Sequence, residues 1–540
     1  WFRKEFSLPS DYKGKEIWLN FDGINYRADV WLNGNKIASQ NEMVGMFRRF
    51  KYNITAAAKI GEKNYLAVKI YQVDHPGVPD PGTQKTVFGM HRGHSVDLFK
   101  DETLKFSGGW DCAPVVRDRN MGIYQDVFIT ATGKIDIENP YIITELPLPD
   151  TSSANLTIAV DLKNIGKEKI KGILKGEINL INKLEFPTYS KNLDGKMKSV
   201  VFSKEIEIPA GSTTVQLSYK DISQLTIKNP HLWWPNGYGK QYLHNLKLTL
   251  EVDKKISDEE NTTFGIRQVT NELKKIQNEY GRVFYINGKK VFCRGGWIQS
   301  EILQDEPIKR AYDEARLMAE ANVNMIANED APAPPDYIMD SYDKYGIMVW
   351  ETFYQCFRMY PTDETAHNPL DHDLAIKNAE DIMLRYRNHP SLVLWCIACE
   401  VTVDEDLYVK TRKLVKELDQ TRPFLAASSY DWDVEKYTPY IKEDLPLGMT
   451  DAGAPDYNWN PEPYYFKKVL EVEKQTFRNE LGVPSFPVYS SLKKFITDFS
   501  KDKTNPIFPL DSVWAEHGAW DYDGYAFKRY DEAIRKIYGT

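Results

Sequence analysis

The stretch that decides the fold of the larger part of this chain is residues 392–400, which read LVLWCIACE. It is an unbroken apolar run that ends in one acidic residue, Glu400. A strand buried on both faces of a parallel sheet has this composition, whereas a strand with one face in water alternates apolar and polar residues. Cys396 and Cys399 form a single C-x-x-C pair with no second pair after it, which indicates buried structural cysteines and no metal site. The run predicts a central strand of an α/β domain.

Similar strands alternate with helices on both sides of this run. Helices are predicted at 307–322, with Pro307 in the first turn, and at 375–387. Candidate strands follow one another at 291–297, 323–327, 347–353, 392–399, 424–428, 445–449 and 476–480. Repeated β/α units of this kind predict a (β/α)₈ TIM barrel over residues 268–540. A doubly wound sheet is the competitor, but the chain has no Gly-rich nucleotide turn. No eighth strand is evident, so we expect a barrel truncated at its C-terminal end.

The first half of the chain predicts two β-sandwiches. Residues 1–133 read as a jelly roll, in which Ile17, Leu19 and Phe21 alternate as in a half-buried strand and Asn33-Gly34 marks a hairpin. Residues 134–267 read as an immunoglobulin-like sandwich with strands at 156–162, 170–180, 200–208 and 243–252. A further hairpin is predicted at Asn287-Gly288. The fold class is therefore multidomain, β plus α/β.

Composition narrows the classes of partner. The 540 residues carry a formal net charge of −8 with no basic stripe, which argues against nucleic acid. No apolar run reaches the roughly 18 residues of a membrane span. Thirteen tryptophans and thirty-two tyrosines favour a sugar ligand only weakly, because large cores also use aromatic residues. Trp1 opens directly into strand-like sequence, so we expect a trimmed start that hides any targeting segment. The oligomeric state stays open.

Two glutamates follow predicted barrel strands, where barrel enzymes carry their catalytic groups. Glu400 ends the fourth candidate strand and Glu480 ends the seventh, so they would face each other across the barrel mouth. Retaining glycosidases need two carboxyl groups about 5–5.5 Å apart. Either glutamate alone could equally be part of a surface salt bridge.

Several motifs along the whole chain, in the same order, resemble glycoside hydrolase family 2, in its β-mannosidase and exo-β-glucosaminidase branch. They are Trp1–Phe6, Asp29–Gly34, Gly109–Asp111, Leu232–Gly239, Phe264–Arg267, Arg387–Ser391 and Phe477–Gly482. The resemblance implies Glu400 as the acid/base and Glu480 as the nucleophile. It implies no cofactor and no metal.

The chain departs from the family pattern around the predicted pocket. Cys399 stands where the family usually has an Asn that binds the sugar 2-substituent, and a thiol is a weak donor and acceptor. Residues 327–330 read ANED where an Arg-x-Trp sequence is usual, which brings in Glu329 and Asp330. Cys112 replaces the second Trp of the loop that contains Trp110 and Asp111. These changes predict an unusual pocket, and an amino sugar is one candidate.

Other residues are candidates for contact with the sugar. Asp111 and Trp110 belong to a loop of the first domain, and Trp297 and Trp350 are predicted at the ends of strands one and three. Tyr457 and Trp459 resemble a family loop after strand six, and Trp514 and His517 follow strand seven. Each also has an ordinary structural interpretation, such as a turn aspartate, barrel packing or a surface histidine. His389, at the opposite end of the fourth strand, is interpreted as structural.

The sequence thus predicts an exo-acting retaining β-glycosidase that releases a terminal non-reducing mannose, glucosamine or galactose residue from an oligosaccharide or glycoside. One alternative is a carbohydrate-binding protein with an impaired barrel site, which Cys399 would favour. Another is a transglycosylase with the same covalent intermediate. A role in polysaccharide degradation would put the protein in the periplasm or outside the cell.

Overall fold

The computed structural model describes twelve parts of the chain. They are residues 1–76, 100–104, 121–276, 279–298, 301, 304–328, 333–354, 369–398, 403–428, 444, 488–494 and 526–539. Within them, no helix is both long and apolar enough to cross a membrane.

The first domain is a β-sandwich of antiparallel sheets, with strand orders β1-β7-β4-β5 and β6-β2-β9 and the small pair β3-β8. Its strands are β1 (Phe2–Ser7), β2 (Glu16–Phe21), β3 (Ile24–Asn25), β4 (Arg27–Leu32), β5 (Asn35–Ala38), β6 (Phe50–Asn53), β7 (Lys63–Tyr71), β8 (Gly122–Ile123) and β9 (Val127–Thr132). The predicted Asn33-Gly34 turn joins β4 to β5, with φ of 52° and 86° at its two residues. Positive φ at both positions is what a tight two-residue hairpin requires.

Strand β2 differs from the half-buried strand that its alternation predicts. Trp18 and Asn20, on the face expected to meet water, are buried like Ile17 and Leu19 on the other face. The Trp18 ring lies 5.0 Å from the Nζ atoms of both Lys51 and Lys163, and the latter belongs to the second sandwich. The neighbouring domain therefore covers the outer face of β2, which the local pattern could not reveal.

The second domain packs two antiparallel sheets face to face, β10-β11-β16 with β17 beside β11, and β15-β12-β18-β19. Its strands are β10 (Ile135–Glu145), β11 (Ser153–Asn164), β12 (Ile170–Leu180), β13 (Lys183–Glu185), β14 (Ser190–Asn192), β15 (Val200–Ile208), β16 (Gly211–Ser218), β17 (Thr226–Lys228), β18 (His244–Val252) and β19 (Lys255–Phe264). Every second residue of β11 is buried between the sheets. The strict alternation of apolar residues therefore reports the sandwich core directly.

A three-stranded antiparallel sheet leads into the barrel. It consists of β20 (Val269–Ile276), β21 (Glu279–Ile286) and β22 (Lys289–Val291). The predicted turn at Asn287 and Gly288 is present, with φ of 51° and 76°. The single strand predicted at 291–297 is wrong, because Val291 ends this hairpin and a separate strand begins at Gly295.

Five parallel strands form a sheet in the order of the chain, as the first five strands of a barrel do. They are β23 (Gly295–Trp297), β24 (Met325–Asn328), β25 (Met348–Tyr354), β26 (Leu392–Ala398) and β27 (Phe424–Leu425). Four helices alternate with them, namely α1 (Ile308–Glu320), α2 (Asp336–Tyr345), α3 (His372–Tyr386) and α4 (Glu405–Leu418). The short α5 (Tyr489–Leu492) and α6 (Ala526–Tyr538) follow later. The predicted strands at 445–449 and 476–480 lie outside the described residues.

Strand β26 is buried at all seven positions, as its apolar composition predicts. Trp395 and Ile397 pack in the layer between the sheet and the helices. Cys396 packs in the other apolar layer, with Met348 and Trp350 of β25. The strand is thus enclosed on both faces, which is why it has no polar alternation.

Candidate active site at the carboxyl ends of the barrel strands

Strands β24, β25 and β26 run parallel, so their carboxyl ends lie at one edge of the sheet. The predicted site residues Glu329 and Glu400 follow Asn328 and Ala398 at that edge by one and two positions in the sequence. Most of the predicted site lies outside the described residues. That set comprises Trp110, Asp111, Glu329, Asp330, Cys399, Glu400, Tyr457, Trp459, Glu480, Trp514 and His517. Their contacts stay predictions.

Trp297 and Trp350 are the two predicted site residues that the structure describes, and they differ in position. Trp297 is the last residue of β23, pairs with Ala327, and leaves 42 % of its surface exposed. Trp350 is instead in the middle of β25, which continues to Tyr354, and it is 4 % exposed. Its predicted place at the end of strand three is therefore wrong, since residues 351–354 of β25 follow it. Its contact with a sugar stays a prediction.

Two polar atoms of β25 are buried without an acceptor or donor among the described residues. They are Nε1 of Trp350 and Oγ1 of Thr352. Trp350 packs with Cys396 in the apolar layer opposite the helices. Buried donors are normally paired, so this part of β25 offers hydrogen bonds to any polar group that approaches it.

Glu351 is a residue of the site region that sequence reasoning missed. It is fully buried between Trp350 and Thr352, and burial raises the pKa of its carboxyl group to about 8. Its Oε2 accepts a hydrogen bond of 2.7 Å from Asn328 Nδ2, and its Oε1 accepts one of 2.9 Å from Ala333 N. An acid inside the apolar strand MVWETFY was the available signal, since an acid is seldom fully buried without a partner.

These two hydrogen bonds join Glu351 to Asn328 and Ala333, the described residues that flank 329–332 in the sequence. Ala333 has a φ of 56°, which an L residue adopts only under constraint. Gln125 of the first domain donates a 3.2 Å hydrogen bond to the Ala333 carbonyl oxygen. Tyr386 of α3 donates to the carbonyl oxygen of Pro334. The first domain and the barrel therefore meet at Ala333.

Two clusters of histidine and aspartate are the candidates for a metal among the described residues. In the first, His389 Nδ1 lies 2.7 Å from Asp343 Oδ2, with Asp340 nearby, at the amino end of β26. Burial alone would lower the pKa of His389, but Asp343 outweighs it and raises this pKa to about 9. This pair is a buried salt bridge at the end of the barrel away from the site, and it supports the structural interpretation of His389.

The second cluster lies between the amino-terminal ends of α3 and α4. His372 Nδ1 lies 2.9 Å from Asp406 Oδ2, and its Nε2 lies 3.7 Å from Asp404 Oδ2. These contacts join the first residue of α3 to the start of α4. We assign no metal to either cluster.

Comparison with known proteins matches the chain to three domain models of one family. Residues 1–125 match the glycosyl hydrolase 2 galactose-binding domain-like model. Residues 135–267 match the model for glycosyl hydrolases family 2, and residues 278–443 match the TIM barrel domain of that family. The predicted fold class is confirmed, while the exact domain boundaries stay predictions.

Individual relatives agree with the domain models. The chain is 32 % identical over 418 residues to a mannosylglycoprotein endo-beta-mannosidase of Lilium longiflorum, covering 75 % of this chain and 40 % of that protein. It is 25 % identical over 559 residues to an exo-beta-D-glucosaminidase of Streptomyces avermitilis, covering 100 % of this chain and 53 % of that protein. The crystal structure of a β-D-mannosidase from Dictyoglomus thermophilum superposes with a TM-score of 0.72 at 25 % identity, covering 98 % of this chain and 60 % of that one.

The chain thus spans about half the length, or less, of the curated relatives it matches. Its sheets follow the same order as the matched domain models, from two sandwiches into a parallel barrel sheet. With the models matching most of residues 1–443, this chain belongs to glycoside hydrolase family 2.

Proposed function

We propose that the protein is an exo-acting retaining β-glycosidase in which Glu400 is the acid/base and Glu480 the nucleophile. The observation that carries the proposal is the position of β26, the fourth parallel strand, in a member of this hydrolase family. Glu400 follows the end of β26 by two residues. Barrel enzymes carry catalytic groups at the carboxyl ends of their strands.

The proposed reaction is a double displacement. Glu480 attacks the anomeric carbon while the carboxyl group of Glu400 gives its proton to the leaving glycosidic oxygen. A covalent glycosyl-enzyme forms on Glu480. Glu400, now ionised, then takes a proton from water, whose oxygen attacks the anomeric carbon and releases the sugar with retained configuration.

The proposed substrate is a terminal β-linked mannose, glucosamine or galactose residue. The relatives named above include both an exo-acting and an endo-acting enzyme, so the exo mode is a proposal for this chain. Glu329 adds an anion and Cys399 removes an amide near the expected 2-position, which would suit a 2-ammonium group. The exo-glucosaminidase relative is consistent with that choice. We also propose a periplasmic or secreted location, because polymeric glycans do not enter cells intact.

A panel of 4-nitrophenyl β-glycosides tests the reaction. We expect turnover of at least one of the mannoside, glucosaminide and galactoside, and loss of that turnover by orders of magnitude in Glu480→Ala. The matched control is Glu417→Gln, which changes an exposed acid near the carboxyl end of α4. Activity of Glu480→Ala within about tenfold of the parent would refute the nucleophile assignment.

The leaving group tests the role of Glu400. Glu400→Gln should slow alkyl glycosides far more than 4-nitrophenyl glycosides, because nitrophenolate needs little protonation to leave. Equal losses on the two substrates would contradict the acid role. Binding of a glycan by the wild-type protein without any turnover would instead support the carbohydrate-binding alternative, which Cys399 favours.

The sugar is tested separately. If Glu329 binds a 2-ammonium group, cleavage of the β-glucosaminide exceeds that of the β-glucoside, and Glu329→Gln reduces the preference by about 1–3 kcal/mol. A preference for a neutral mannoside or galactoside that Glu329→Gln leaves unchanged would show that the acid has another role.

A further inference from the structure

A small cavity lies between the second sandwich and the amino end of the barrel, away from the proposed active site. Three arginines line it, Arg267, Arg387 and Arg422, together with Thr144 and Thr421. The cavity volume open to the centre of a water molecule is about 10 Å³. That is about the room that one water molecule or one monatomic ion needs.

The three arginine residues are each more than nine-tenths buried. Arg267 donates through Nε to Pro390 O at 3.0 Å and through Nη2 to Leu392 O at 2.6 Å. Arg387 donates to Asn139 O at 2.7 Å and to Leu418 O at 3.2 Å. Carbonyl oxygens satisfy these hydrogen bonds but carry no net charge. Neither cation is in direct contact with a carboxylate among the described residues, and the Arg387 guanidinium also lies 4.6 Å from the centroid of the Tyr141 ring.

Arg422 differs because it has a carboxylate partner. Its Nη1 lies 2.6 Å from Asp419 Oδ2. That carboxylate also accepts from Tyr141 Oη at 2.6 Å, from Trp395 Nε1 at 2.8 Å, and from the backbone N and side-chain Oγ1 of Thr421, so its hydrogen-bonding capacity is already used. Within the part of the chain that the structure describes, no other carboxylate bonds to the three arginines. Burying a charge without a partner costs several kcal/mol.

Two further features indicate that positive charge exceeds negative charge around this cavity. The Nε atom of Arg387 is buried and has no acceptor among the described residues. Burial, and then the positive charge of Arg422, lower the pKa of Arg267 to about 9. A donor without a partner and an excess of positive charge thus meet around one ion-sized space.

We propose that this cavity binds one small monovalent anion, chloride, which neutralises the arginine cluster and stabilises the contact between the second sandwich and the barrel. A water molecule would accept the Arg387 Nε hydrogen bond but would leave the charges unbalanced. The site is separate from the proposed glycosidase chemistry, and its test does not need activity.

Bromide identifies the site directly, because it replaces chloride and scatters anomalously. Crystals of the full chain soaked in sodium bromide should show an anomalous peak in the cavity within hydrogen-bond distance of Arg387 Nε. Bromide peaks on the surface alone, or a cavity that holds only water, would overturn the proposal. This measurement needs no variant and so is independent of any folding defect.

Thermal melting tests the stabilising effect. Sodium chloride should raise the melting temperature by about 1–4 °C over sodium gluconate at equal ionic strength, since gluconate is too large for the cavity. Arg387→Gln should lose most of this difference. The control Lys171→Gln, which removes an exposed cation of the second sandwich, should retain it. Equal melting in the two salts for the wild-type protein would contradict a specific site.

Discussion

Glu351 should make the barrel less stable as the pH rises, and Glu351→Gln should remove that dependence. The carboxyl group is fully buried, and burial raises its pKa from the ordinary 4.5 to about 8. Its folded-state pKa thus exceeds its unfolded-state pKa. Below pH 4.5 the group is protonated in both states and contributes its full stability. Above pH 4.5 the unfolded chain loses this proton while the folded protein keeps it, so the contribution declines, and it is gone above about pH 8.

The magnitude follows from the two pKa values. At about 1.4 kcal/mol for each pKa unit, ionising Glu351 in the folded protein costs about 5 kcal/mol. Glutamine has the same shape and no charge. Its oxygen can accept from Ala333 N, and its amide can donate to Asn328 once the Asn328 amide turns over. The substitution should therefore cost less than about 1 kcal/mol at pH 5.

Urea unfolding at pH 5 and pH 9, followed by tryptophan fluorescence, measures the effect. We expect the free energy of unfolding of Glu351→Gln relative to wild type to rise by about 3–5 kcal/mol between the two pH values. Other titrating groups are common to both proteins and cancel in the difference. Glu417→Gln, the exposed control, should show no such change. A pH-independent difference between Glu351→Gln and wild type would refute the assignment of a buried, neutral Glu351.

Three further substitutions test buried contacts elsewhere in the protein. Asp419→Ala should lower the free energy of unfolding by about 3–5 kcal/mol, because it leaves a buried arginine unpaired, and a loss under about 1 kcal/mol in urea would contradict that. Gly295→Ala should prevent correct pairing of β23 with β24, because an added Cβ would lie 1.5 Å from Met325 O. An unchanged melting temperature would be inconsistent with this register. Lys51→Met should destabilise the protein more at pH 8 than at pH 5. Burial raises the pKa of its partner Asp136 to about 7, so the carboxylate that pairs with Lys51 is ionised only at the higher pH. Equal losses of stability at both pH values would count against the pair.

The sequence by itself was enough to predict those strands and turns whose local residue pattern indicates which side chains are buried or which backbone angles are needed. The alternation of Leu156 to Leu162 predicted β11, and the Asn33-Gly34 and Asn287-Gly288 pairs predicted two hairpins, because positive φ is a local requirement. The apolar run at 392–398 predicted a strand enclosed on both faces. Family motifs then predicted the two catalytic glutamates, which stay a proposal.

Only the tertiary structure revealed the contacts between residues that are far apart in the sequence, and the burial that results from them. The outer face of β2 is covered because Lys163 of another domain lies over Trp18. Glu351 is neutralised by burial and bonded to Asn328 and Ala333, which no local pattern encodes. Arg267 and Arg422 are far apart in sequence and meet only when the second sandwich docks on the barrel. Burial and electrostatic interaction depend on all neighbouring atoms at once, so they appear only when the domains are assembled.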